Sequence, residues 1–138
     1  MQVYKSILVA MDCSAVDDVI VEHVAALALQ NHAQVCLLHV VHSHTLDQDR
    51  ALRERAEEAL KARCEALQAR GVEARVAIRS GEPDAEILAE IAEKDYDLVA
   101  MATHGHSFFG DFLFGSVSRT LKHKISIPLL LIGPAKKP

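Results

Sequence analysis

Gly105 and Gly115 bracket nine residues, Ser116 follows the second glycine directly, and the stretch they belong to begins as the apolar run Leu98 to Ala102. Beyond Ser116, the apolar residues Val117, Leu121 and Ile125 fall at helical spacing. The segment therefore reads as buried strand, polar loop and helix start. Backbone N–H groups at a helix start have no intrahelical partner and point at whatever lies in front of them, while glycine lets the backbone come close. The chemistry on offer is capture of an anion, a phosphate group above all, rather than bond breaking. On spacing alone, an ordinary loop with a helix cap fits equally well.

Such a junction needs a scaffold to hold it. Five short apolar runs, Ile7 to Ala10, Val35 to Val41, Ala74 to Ile78, Leu98 to Ala102 and Leu129 to Ile132, alternate with four longer stretches of helical period. All but the third are almost continuously apolar, as parallel strands covered on both faces must be. In the third, Glu73, Arg75 and Arg79 alternate with Ala74, Val76 and Ile78, a period of two that predicts an edge strand with one wet face. The first helix opens at Ser14, which forms a capping box with Asp17, turns Val16, Val19, Ile20, His23, Val24 and Leu27 inward, and ends near Asn31. A second, roughly Asp47 to Arg70, stops at Gly71; a third has Pro83 at its first position. The fourth starts at about Ser116 and closes on Lys122, His123 and Lys124. The alternation predicts one α/β domain over residues 1–138, an open, doubly wound, five-stranded parallel sheet.

In such a sheet, ligands bind beyond the carboxyl ends of the strands, where the strand order reverses. Those ends carry Asp12, Cys13 and Ser14, then Val41 to His44, then Thr103 to Gly115. Three polar loops thus share one edge. They suit an adenine on backbone groups near Val40, a ribose on Asp12 and phosphates on the loop from Ala102 to Ser118. Ser14 serves equally as an N-cap.

Composition removes several alternatives. A chain of 138 residues fits one domain and buries roughly 68% of its unfolded surface, enough for a core without metal or disulfide help. Hydrophobic residues make up 50%, charged residues 25%, and the formal net charge is −4, which argues against a nucleic-acid binder with its basic stripe. Cys13, Cys36 and Cys64 form no Cys-x-x-Cys pair and suit a reducing cytoplasm. No apolar run approaches the ~18 residues of a membrane span, and the start lacks a signal-peptide pattern. A cytoplasmic protein without membrane contact is expected.

At this point the residues resemble a known family, the universal stress proteins, over nearly the full length. Lys5-Ser-Ile-Leu-Val-Ala-Met-Asp-Cys-Ser14 is similar to that family's first strand and Asp-x-Ser turn, and Leu37-Leu-His-Val-Val41 to its second strand. Ala102-Thr-His-Gly105, nine residues and Gly115-Ser116 is similar to its phosphate-side pattern, Gly-x-x-Gly, nine residues, Gly-Ser or Gly-Thr. Two departures stand out. Ala102 replaces the first glycine, and His106 stands where ATP-binding relatives often carry Arg or Lys; Asp111 adds a negative charge to the same loop.

The resemblance implies a Rossmann-like, adenine-nucleotide-hydrolase-like sheet of strand order 3-2-1-4-5. It implies a stress-response sensor or signalling protein that binds ATP, alone or with Mg2+. The implied site comprises Ala10, Met11, Asp12, Ser14, Val40, Met101, Ala102, Gly105, His106, Gly115, Ser116, Val117 and Ser118, with no catalytic residue. It also implies a homodimer through the fifth strand. Independently, Leu129-Leu-Leu-Ile132 has no charge or internal proline to protect an edge against pairing.

Other constellations were weighed against this reading. All four phenylalanines lie between residues 108 and 114; Phe112 and Phe114 suit packing under the loop, Phe108 and Phe109 a flap over the nucleotide or a contact for a protein partner. His42, His44, His104 and His106 make a metal site only if their loops converge, with no Cys or carboxylate spacing behind them; no metal is expected. Cys13, beside Asp12, is either a passive small residue or a thiol that reacts with oxidants. There is no Gly-x-x-x-x-Gly-Lys-Ser/Thr, no Gly-x-Gly-x-x-Gly after the first strand and no carboxylate poised as a base. The alternatives are therefore a dimeric interaction module that binds no nucleotide, or at most a slow ATP hydrolase.

Overall fold

The computed structural model describes residues 3–13, 16–102 and 114–133, without the side chains of 16, 17 and 114–116. Its elements run β1 (Ser6–Ala10), α1 (Val16–Asn31), β2 (Gln34–Val41), α2 (Leu46–Ala69), β3 (Glu73–Ser80), α3 (Pro83–Glu93), β4 (Leu98–Ala102), α4 (Phe114–Lys124) and β5 (Leu129–Ile132). The five strands form one parallel sheet in the order β3-β2-β1-β4-β5. Every side chain of β4 and all but the first of β1 and β2 are buried, because helices cover both faces of the central strands.

Strand alternation sorts the two faces. Leu37 and His39 point toward α2, whose Leu52, Ala56 and Ala59 share a cavity with His39, and Cys36 points the other way, toward Tyr96 and Arg75. Asp97 ties the amino ends of β1 and β4 together by accepting from the Lys5 N–H at 2.8 Å and the Ser6 N–H at 3.1 Å. These bonds fix the register that decides what meets at the opposite edge.

Three sequence expectations need correction. On α1, His23 is exposed, and Ile20, Val21, Val24, Ala25 and Ala28 form the buried stripe, which lies rotated toward the residues one place after the expected ones. On β3, Glu73 and Arg75 are exposed as expected, but Arg79 of the same face is half-buried against α3. Arg79 donates to Glu86, Glu90 and Glu93 of α3 at 2.9–3.0 Å, and Arg75 donates to the Tyr96 hydroxyl at 2.8 Å. Sequence period alone registers alternating charge; it does not show that α3 brings carboxylates to meet it. Finally, α2 starts at Leu46, one residue before the expected Asp47, because Thr45 caps it: its hydroxyl accepts from the Gln48 N–H at 3.1 Å, and Gln48 accepts from the His44 N–H at 3.0 Å. Its far end closes at Arg70, with Gly71 following at φ +89°.

Candidate functional site

The sheet ends unevenly at its carboxyl edge, and the unevenness makes the site. Ala10 closes β1 opposite Leu38 of β2 and Met101 of β4, whereas β2 continues through His39 and Val40 to Val41. At a rise of about 3.3 Å per residue, those three residues carry β2 roughly 10 Å past the point where β1 turns away. The Met11 N–H still donates to the Leu38 carbonyl at 2.8 Å, and then the chain leaves the sheet.

Backbone alternation decides what this notch presents. The Leu38 carbonyl faces β1, and the Val41 carbonyl faces β3, where it accepts from the Gly81 N–H at 2.9 Å. Val40, two residues after Leu38, therefore turns its N–H and C=O to the β1 side, beyond the last β1 ladder residue. That is one donor and one acceptor along a strand edge, a pattern that matches the edge of an adenine ring.

Asp12 stands at the base of the notch and is 0% exposed. Beside it, the His39 ring bonds the Met11 carbonyl through Nδ1 at 2.8 Å. A carbonyl only accepts, so Nδ1 carries the proton. Burial pushes the His39 imidazole below its ordinary range, against the opposing pull of the Met11 carbonyl and the Asp12 charge, so the ring is neutral at pH 7. Neutral His39 thus anchors the β1 exit from beneath. Reading the sequence as strand residues with an apolar role missed it; a histidine inside an otherwise apolar run was the available signal.

Across the notch, Met101 and Ala102 end β4 fully buried. The helix that follows the loop begins at Phe114, two residues before the expected Ser116, so Gly115 and Ser116 belong to its first turn. That turn has no acidic residue and the last turn has Lys122, His123 and Lys124, so within α4 itself no residue offsets the positive end of the helix dipole while the negative end is neutralised. Val117 is buried against the core, and Ser118 is half-buried.

The structure therefore brings Ala10, Met11, Asp12, Val40, Met101 and Ala102 to one edge, with Val117 and Ser118 on the helix that follows β4. Ser14, Gly105, His106, Phe108, Phe109, Asp111 and Phe112 lie outside the described residues, as does His104. His42 and His44 pack edge to face with ring centroids 5.6 Å apart. Among the described residues, no three His, Cys, Asp or Glu side chains gather as metal ligands, and no helix is long and apolar enough to cross a membrane.

Known proteins share this fold. A sequence model of the universal stress protein family matches residues 3–133. The universal stress protein YxiE of Bacillus subtilis (strain 168) is 25% identical, over 94% of this chain and 99% of YxiE. Among solved structures, hypothetical protein MJ0577 superposes with a TM-score of 0.83 at 25% identity, covering 97% of this chain and 99% of that one. The universal stress protein of Archaeoglobus fulgidus, solved in complex with dAMP, gives 0.74 at 23% identity, covering 95% and 99%. With the family pattern matched from the first strand to the last and the strand order in agreement, this chain belongs to the universal stress protein family.

Proposed function

We propose that this chain binds an adenine nucleotide, ATP by preference, as a cytoplasmic homodimeric sensor or signalling protein of stress physiology. The observation that carries the reading is a fully buried carboxylate, Asp12, at the base of a notch whose wall is the Val40 backbone edge. A carboxylate there accepts from both ribose hydroxyls, and charge-assisted bonds of that kind are the strong ones. The Val40 N–H and C=O read the adenine edge. Ala10, Met11 and Met101 shape the notch around the sugar, and Ser14 is a further hydroxyl for the ligand. Ala102, Gly105, Gly115, Ser116, Val117 and Ser118 take the phosphates through N–H groups and hydroxyls at the positive end of α4. His106 adds attraction only when protonated. Mg2+ would ride on phosphate oxygens and water. A relative with the same fold was solved in complex with dAMP, which supports the adenine and 5′-phosphate parts of the reading and, having no 2′-hydroxyl, bears on only one of the two sugar contacts.

The dimer rests on β5, the outer strand of the sheet, which among the described residues pairs only with β4. Its Leu131 is 43% exposed. Antiparallel addition of a second β5 satisfies the outer backbone groups with twofold symmetry.

Isothermal titration of nucleotide-free protein with ATP tests the binding. Saturable binding that falls at least about tenfold in Asp12→Ala, the loss of roughly one charge-assisted hydrogen bond, is the expected result. No heat of binding at millimolar ATP would overturn the reading and leave the dimeric interaction module.

A further inference from the structure

The chain leaves the sheet at Met11 with both backbone groups of that residue tied to β2. Its N–H donates to the Leu38 carbonyl and its carbonyl accepts from His39 Nδ1, each at 2.8 Å. The second bond differs in kind: the pairing of β1 with β2 and with β4 ends at Ala10, and a side chain stands where a ladder would supply a backbone donor. We propose that His39 is a positioning residue, which by holding the Met11 carbonyl aims the Asp12 carboxylate at the two hydroxyls of a ribose. That role rests on the nucleotide reading above and gives it its sugar specificity.

The Met11 carbonyl and the Asp12 N–H belong to one planar peptide unit, so a bond that fixes the oxygen fixes the plane from which Asp12 departs. One residue later the chain bends sharply, with Cys13 at φ +64°, a left-handed conformation that residues with a Cβ seldom adopt. A bend so close to the carboxylate moves it unless the peptide before it is held. His39 is well placed to hold it, being 3% exposed and set in the β2 ladder opposite Ile78 of β3. A functional group carried by a rigid strand is held more precisely than one carried by a loop. Because burial keeps the ring neutral, it secures the peptide without setting a cation beside Asp12 to compete with ligand hydroxyls.

The test compares ATP with 2′,3′-dideoxy-ATP by isothermal titration of the nucleotide-free full chain and its variants. The two ligands differ only in the sugar hydroxyls. The ratio of their dissociation constants on one variant is therefore untouched by any loss of folded protein, and a purely structural role would leave it unchanged. Wild type should prefer ATP by at least about tenfold. His39→Leu, which has no donor, should cut the preference to about threefold or less. His39→Phe, a ring without a donor, should do the same if His39→Leu folds poorly by circular dichroism. His39→Asn, whose Nδ2 stands where the ring has Nδ1, should keep the preference. In Asp12→Ala protein, where the preference is already gone, adding His39→Leu should change the ratio no further, since it acts through Asp12.

A preference kept in the donorless variants, lost equally in His39→Asn, or lowered again by His39→Leu in Asp12→Ala protein would overturn the positioning role and leave ATP binding standing. So would wild-type protein that binds both ligands equally. Wild-type protein that binds neither overturns the nucleotide reading itself, and the role of His39 with it.

Discussion

Replacing Tyr96 by phenylalanine removes one oxygen from the most heavily bonded polar cluster among the described residues. The Tyr96 hydroxyl donates to Glu90 Oε2 at 2.6 Å and accepts from the Arg75 guanidinium at 2.8 Å. Glu90 is 1% exposed, so the lost donor cannot be replaced by bulk water. It keeps Arg79 Nη1 at 3.0 Å and Lys94 Nζ at 3.3 Å. Arg75 is exposed and regains its bond from solvent, and its guanidinium sits 5.9 Å from the centroid of a ring that phenylalanine retains. The cost therefore falls mainly on the Glu90 bond, with a smaller share from the Cys36 thiol that also bonds the hydroxyl, and a hydrogen bond to a buried charged group contributes about 2 kcal/mol. For a chain of this size that corresponds to a Tm lower by roughly 7 °C.

The same variant carries a pH signature. Burial pushes the Glu90 carboxyl up, but the Tyr96 hydroxyl, the Arg79 guanidinium and the Lys94 ammonium together outweigh it and hold the group below its ordinary 4.5. A depressed carboxylate stabilises the fold above the unfolded value, and that contribution is lost as pH falls through the folded one. Urea unfolding followed by circular dichroism should show a lower midpoint for Tyr96→Phe at pH 7 with the m-value unchanged. The gap between the two proteins should narrow from pH 7 to acid pH, as Glu90 takes up its proton in the fold. A gap below about 0.5 kcal/mol at pH 7, within the range of ordinary surface substitutions, would refute the assignment, as would a gap of equal size at both pH values.

Two further outcomes follow from the geometry. Leu131→Lys places a charge on the exposed side of β5, so light scattering behind size exclusion should report a shift from dimer to monomer; an unchanged mass would remove β5 from the interface. Gly71→Ala puts a Cβ 4.0 Å from the nearest atom, Leu29 Cδ2, so space is ample and only the φ of +89° matters; it should cost about 1–2 kcal/mol in urea unfolding, with a neutral result showing that the α2 terminus relaxes.

The sheet was legible because each strand is bounded by what a parallel strand requires. Ile7 to Ala10 and Leu98 to Ala102 match the observed strands to within a residue, since a segment buried on both faces has no polar residue to blur its limits. Errors came where one element's surface depends on another. His23 sits at helical spacing from Ile20 and Leu27, and nothing in α1 alone says that the stripe turns one residue onward to pack on the sheet. Arg79 reads as solvated until α3 supplies Glu86, Glu90 and Glu93. Local pattern specifies an element; the identity of its neighbour specifies what its charges do.

The site divides along the same line. The places of Asp12 and Val40 at the carboxyl edge could be read from sequence because each lies by a strand end, and strand ends follow from apolar runs. His39 could not, because its role depends on register. Only when Leu38 is set opposite Ala10 does the next residue of β2 fall beside Met11, where a ring nitrogen reaches a carbonyl. The same register also leaves Val40 past the end of β1. Both the anchor under Asp12 and the backbone edge beside it are thus consequences of one alignment, that of β1 with β2, which begins at the far end where the Gln34 N–H donates to the Lys5 carbonyl at 2.9 Å. A slip of one residue in that alignment would turn His39 away from Met11 and reverse the sense of Val40 in a single step. The notch is therefore a property of the sheet's register, and residue types at the notch only decide what it can hold.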